Sequence, residues 1–227
     1  MFPLKDIDQA KIFPFWVILL ILVNLYVFFL ELTAINPDFY IIRFALIPEN
    51  IDFFEAQTLI PFVTAQFLHG GFIHILSNMW FLWVFGKNLE SRLGFLFPVF
   101  YIFSGVLGNI TQYIIYSGSN IPIIGASGAV AGILGAYLAF FPRNKIKTFI
   151  FVLFFAAVVE IPVSLMLFYW LITQLFSSAA AVSANTAETF GGVAYFAHVG
   201  GFAAGWVIGK IISVKSSLSP DRKNLSF

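Results

Sequence analysis

The 227-residue sequence predicts an all-α membrane protein, a bundle of six transmembrane helices with both termini in the cytosol. Three observations lead there. The chain is 60% hydrophobic and 10% charged, whereas soluble domains carry roughly 25% charged residues. It holds six apolar runs near the length of a bilayer span, and its basic residues cluster on one side of them. The composition also excludes other classes. A net charge of +1 offers no basic surface for nucleic acid. The absence of cysteine removes disulfides, thiol nucleophiles and Cys-ligated metals.

A span needs roughly 20 apolar residues, fewer where it starts below the surface. The first run, 12–32, follows a cytosolic tail over 1–11. It is longer than a signal-peptide core of roughly 7–15 residues and has no small-residue cleavage site behind it, so it is expected to be retained. The loop over 34–68 carries Phe39, Tyr40, Ile41, Ile42, Phe53 and Phe54, and is expected as short helices in the outer leaflet. Runs two (71–86) and three (95–116) are joined by a short turn with Lys87 and Arg92, and run four covers 125–141. Run five, 149–176, is broken by Pro162; its first part, 149–160, lies either along the interface or within the span. Run six, 196–213, leads to a cytosolic tail over 214–227. Domain organisation is thus one membrane domain over 12–213 with a tail at each end.

Lys and Arg orient such bundles. Eleven of the twelve basic residues lie on the side shared by both termini, and only Arg43 lies opposite. That places both termini in the cytosol, and the host is expected to be a plasma (inner) membrane.

Polar side chains inside the bilayer then stand out. At 1.5 Å per residue, Ser127 lies roughly 24 Å above the basic side, His198 roughly 25 Å and His74 roughly 20 Å, with Asn78 one turn deeper. Three distant runs thus bring four polar groups to nearly one level. Interhelical hydrogen bonds worth about 0.6 kcal/mol each are the bland alternative, but they have no reason to concentrate at one depth. Gly128 and Gly132 form a small-residue face on run four, and Gly201, Gly205 and Gly209 form one on run six. Such faces let backbones approach and bring Ser127 toward an imidazole, the minimal activated nucleophile. His74 and Asn78, four residues apart, share one helix face and could donate to a developing oxyanion.

Other readings are weaker. Three histidines could bind a metal, but HExxH is absent and no carboxylate shares their depth. Gly125-Ala126-Ser127-Gly128-Ala129 lacks the last glycine and the preceding strand of an α/β-hydrolase elbow. A transporter would favour midplane charges and inverted repeats, and neither is evident. No metal and no cofactor is expected.

Four stretches resemble the rhomboid family of intramembrane serine proteases. "HGGFIHILSNM" (His69 to Met79) is similar to the family's second-span signature and "GASGAVAG" (Gly125 to Gly132) to its nucleophile motif. "AHVGGFAAG" (Ala197 to Gly205) is similar to its histidine motif, and "FGKNLESRLG" (Phe85 to Gly94) to the turn leaving span two. The resemblance implies a Ser–His dyad in which Ser127 attacks and His198 serves as general base, then acid. It implies an oxyanion site from His74, Asn78 and the Ser127 backbone N–H. Substrates would be transmembrane proteins entering laterally from the lipid, flanked by span five and the first loop. An inactive relative that only binds membrane proteins would normally have lost Ser127 or His198. Two departures stand out. Some members carry an aromatic residue four positions after the serine, where this chain has Ala131, leaving Tyr195 and Phe196 as candidates to hold His198. Some carry a Trp-Arg pair where this chain has Ile60-Pro61. His69 is expected to cap the outer end of span two.

Overall fold

Six apolar helices form the body of the computed structural model, which describes residues 1–36, 38–152, 155–183 and 194–218. They are α1 (Phe15–Thr33), α5 (Phe72–Leu93), α6 (Phe97–Ile115), α7 (Ser127–Phe140), α8 (Val163–Ser183) and α9 (Tyr195–Leu218). Short helices α2 (Asp38–Phe44), α3 (Ala56–Leu59) and α4 (Pro61–Thr64), with two 3₁₀ turns, make up the first loop. Four helical stretches among the described residues are long and apolar enough to cross a membrane: Phe15–Thr33, Phe72–Ile115, Val163–Ala180 and Tyr195–Lys215. The second comprises α5 and α6, joined through the turn Gly94–Leu96.

The short α7 sits at the centre, with Ala129, Ala131, Ile133, Ala136 and Tyr137 fully buried. Its neighbours pack backbone to backbone. A Cβ added at Gly201 would collide with the Gly128 carbonyl, and one at Gly205 with the Gly132 carbonyl. A Cβ at Gly132 would meet the Ser104 side chain of α6, whereas at Gly128 it would find ordinary contacts of 3.6–3.7 Å. It is therefore the carbonyl of Gly128, not its missing side chain, that needs the glycine opposite. Without a hydrophobic driving force in lipid, such close packing supplies much of the helix association. Gly205→Ala is expected to destabilise by about 1–3 kcal/mol or more, because backbone must shift. Gly118→Ala, where a Cβ meets nothing within 4 Å, is expected to be near neutral. Thermal unfolding in detergent compares the two directly.

The all-α expectation is corrected by a three-stranded antiparallel sheet in the order β1 (Phe2–Asp6), β2 (Lys145–Val152), β3 (Phe155–Pro162). The segment expected along the interface or within span five, 149–160, thus contributes strands at 149–152 and 155–160 instead of the first turns of a helical span. The reason is local: along β2, Lys145, Lys147, Phe149 and Phe151 are exposed while Ile146 and Thr148 are buried, the period of two that a strand requires. Pro162 disfavours helix in the residue before it, and α8 begins immediately after, at Val163.

The 1–11 segment is likewise more than a tail. Phe2 pairs with Phe149 and Lys5 with Lys147. Asp6, fully buried, accepts hydrogen bonds from the Tyr137 hydroxyl, Asn88 Nδ2 and Asn144 Nδ2, so a buried carboxylate is satisfied from three sides. Helix α5 continues past residue 86 to Leu93 because its polar end is used. Glu90 accepts the N–H groups of Trp16 (3.0 Å) and Val17 (2.9 Å), capping α1 from a neighbouring helix. A carboxylate suits the positive end of a helix and satisfies two orphan donors. Of the expected C-terminal tail, residues 219–227 lie outside the described residues.

Candidate active site

At the end of the bundle opposite the sheet, a cavity of about 620 Å³ opens among α5, α7, α8 and α9. Its lining includes Ser127, His198, His74 and Asn78. The four polar groups singled out in the sequence therefore line one cavity.

Ser127 is the first residue of α7, where backbone N–H groups have no partner within the helix and carry its positive end. The chain reaches it through Gly125, whose φ of +119° favours glycine. A Cβ at Gly125 would lie 2.6 Å from His74 Nε2, so only glycine lets the backbone pass this close to the imidazole. The Gly125 N–H donates to the Ala65 carbonyl at 2.9 Å, tying the serine's approach to the first loop.

Asn78 is buried, and its Nδ2 has no hydrogen-bond partner among the described residues. A buried donor left unpaired is costly, which suits a group whose partner arrives with a ligand. His74 lies one turn earlier on α5 and faces His69 edge-on, the ring centroids 5.1 Å apart.

His69 does not cap α5, which starts at Phe72 with Gly71 in the cap position and no side-chain bond there. Its Nδ1 instead pairs with the Phe67 carbonyl at 3.2 Å, and its backbone N–H donates to the Glu31 carboxylate at 3.1 Å. Loop geometry before the helix diverts the ring toward His74. Burial lowers the His69 pKa to about 4, and the neighbouring His74 adds to the effect, so the ring is neutral at physiological pH.

The support for His198 is the largest departure from expectation. Of the two aromatic candidates, Tyr195 meets the imidazole edge-on at 6.3 Å, while Phe196 packs against Tyr116 at 5.9 Å. Two unforeseen residues of α8 do more. Trp170 lies over the ring at 6.1 Å and 33°, and Gln174 Oε1 sits 2.7 Å from His198 Nδ1. Gln112 of α6 accepts the N–H groups of Phe196 (3.1 Å) and Ala197 (3.2 Å), fixing the backbone just before His198. The sequence signal for Gln174 is a polar residue within the apolar run "LMLFYWLITQLF". The first loop is anchored to α6 without a Trp-Arg pair: the Phe62 carbonyl accepts from Asn109 Nδ2 at 2.9 Å, and Gln66 Nε2 donates to the Ile102 carbonyl at 3.3 Å.

Comparison with known proteins places the chain in one family. Residues 56–215 match the family model of the Rhomboid domain. Over 155 residues the chain is 32% identical to RHOMBOID-like protein 4 of Arabidopsis thaliana, covering 67% of this chain and 34% of that protein. It is 31% identical over 159 residues to Rhomboid protein 1, mitochondrial, of Saccharomyces cerevisiae, covering 68% and 42%. It is 41% identical over 73 residues to Rhomboid-like protein 11, chloroplastic, of Arabidopsis thaliana, covering 32% and 26%. The matched segments thus span well under half the length of each relative.

Proposed function

Because the chain belongs to the Rhomboid family, we propose that it is an intramembrane serine endopeptidase that cuts transmembrane proteins with a Ser127–His198 dyad. The single observation that carries this reading is the cavity that Ser127, His198, His74 and Asn78 line together. In the reaction, His198 takes the proton of the Ser127 hydroxyl as Oγ attacks the scissile carbonyl carbon. The oxygen that gains charge is met by Asn78 Nδ2, His74 and the Ser127 N–H. Collapse breaks the C–N bond, and His198 returns the proton to the leaving amine. Water then attacks the acyl ester as His198 takes its proton; the ester C–O bond breaks, the new carboxyl terminus leaves, and His198 returns the proton to Ser127 Oγ.

An integral membrane protein follows from the apolar helices and the family. The finer topology is part of the proposal: α1, α5, α6, α7, α8 and α9 as six spans, the sheet and both termini in the cytosol, and the cavity toward the outer side. The distribution of basic residues supports it. The expectation of a plasma membrane gains no support, since relatives bear mitochondrial and chloroplastic names.

Substrates would enter laterally between α8 and the first loop. A helix hides its carbonyls in i→i−4 bonds, so the scissile segment must extend before Ser127 reaches it. In lipid each exposed backbone group costs several kcal/mol unless a wet cavity satisfies it, and Gly or Pro near the outer end leaves less helix to break. Ser127 is flanked by Gly125, Ala126, Gly128 and Ala129, which favours a small residue before the cut.

The test is purified protein in liposomes with a transmembrane reporter, the cut mapped by mass spectrometry. A single cut in or beside the span is expected, faster after Ala or Ser than after Phe and slower when helix-breakers become Leu. No cleavage, or fastest cutting of an all-Leu helix, would overturn the reading.

A further inference from the structure

Among the described residues the His198 imidazole meets Gln174 by a hydrogen bond and Trp170 and Tyr195 by ring contacts, and none of these is a carboxylate. A neutral imidazole carries one N–H, and the bond made by one nitrogen decides which nitrogen is free. Gln174 Oε1 bears no hydrogen, so at 2.7 Å the His198 Nδ1 must be the donor. The amide is turned this way round consistently: its Nε2 donates to Thr173 Oγ1 at 3.5 Å.

Resting on the reading of His198 as the base, we propose that Gln174 is a positioning residue: it holds the His198 proton on Nδ1 and keeps Nε2 open for the Ser127 hydroxyl. The logic is that of the carboxylate in a catalytic triad, which fixes tautomer and orientation, performed here by a neutral amide. Trp170 completes the clamp. It lies four residues before Gln174, on the same helix face, and its ring packs on both His198 (6.1 Å) and Phe202 (5.8 Å). One face of α8 therefore supplies the plane of the imidazole and the direction of its hydrogen bond. On other faces of α8, Leu165, Phe168, Tyr169 and Phe176 are exposed.

The decisive measurement is ¹⁵N NMR of protein labelled at histidine, with the His198 signals assigned by their loss in His198→Ala. In the unaltered chain His198 is expected to carry its proton on Nδ1. Gln174→Leu is expected to give a mixture of tautomers and to lower kcat about 10–100-fold, with KM within about twofold, short of the roughly 10⁴-fold cost of losing a triad carboxylate's role. Gln174→Glu restores an acceptor and should return the Nδ1–H signal and a kcat within about fivefold of the unaltered chain. A proton on Nε2 in the unaltered chain would overturn the proposal without any variant, as would Gln174→Leu with unchanged kcat. Ser127→Ala run alongside separates the two levels: residual cleavage there sinks the dyad itself, whereas a silent Ser127→Ala with an active Gln174→Leu sinks only the role of Gln174.

Discussion

Ser127→Ala is expected to abolish cleavage of a transmembrane reporter, and His198→Ala to do so to a similar degree, while both variants keep the fold. Removing the nucleophile or base of such a unit costs on the order of 10⁶ in kcat, about 8 kcal/mol of transition-state stabilisation. The loss is large because the two groups act as one: without the base the hydroxyl is a poor nucleophile, and without the hydroxyl the base has no proton to take. The fold should tolerate both changes. Ser127 lines an open cavity and is only partly buried, and alanine at the first helical position keeps the backbone of α7 intact. The tight contacts near it belong to the Gly128 carbonyl against Gly201, not to the serine side chain. The measurement is reporter cleavage with a thermal melt on the same preparations. Ser127→Ala retaining more than a few percent of cleavage with an unchanged melt would remove the dyad assignment.

Asn78→Ala is expected to lower kcat by about 10²–10³, the effect of losing one oxyanion donor, with KM nearly unchanged. The unpaired Nδ2 of this buried residue motivates the number. A donor whose partner exists only in the transition state contributes to kcat, because the ground-state carbonyl gains little from it. The loss should be graded, since His74 and the Ser127 N–H remain. Kinetics in detergent or liposomes decide the matter. A rise in KM with kcat intact would move Asn78 from transition-state stabilisation to substrate binding.

The candidate site was legible in part because a bilayer imposes order on sequence. Spans align along one axis, so Ser127, His74, Asn78 and His198 could be compared by depth before any contact was known. The glycine faces were legible for a related reason, since close helix crossings in lipid demand small residues at a repeat of four. The strands are hidden in the sequence because apolar content over 149–160 masks a period of two, which burial reveals in Ile146 and Thr148 against Lys147 and Phe149.

What the sequence determined by itself is therefore what depends on composition and period: a membrane bundle, its crossing glycines and the polar residues that line its cavity. What only the tertiary structure decided is which side chain meets which across the bundle. Gln174 reaches His198 from 24 residues away, Glu90 caps α1 across 73 and Tyr137 holds Asp6 across 131. Each contact depends on the rotation of a helix about its own axis and on its neighbour's crossing point. Those quantities emerge only when all the helices pack at once, because each face is chosen by the sum of its contacts and not by any local pattern.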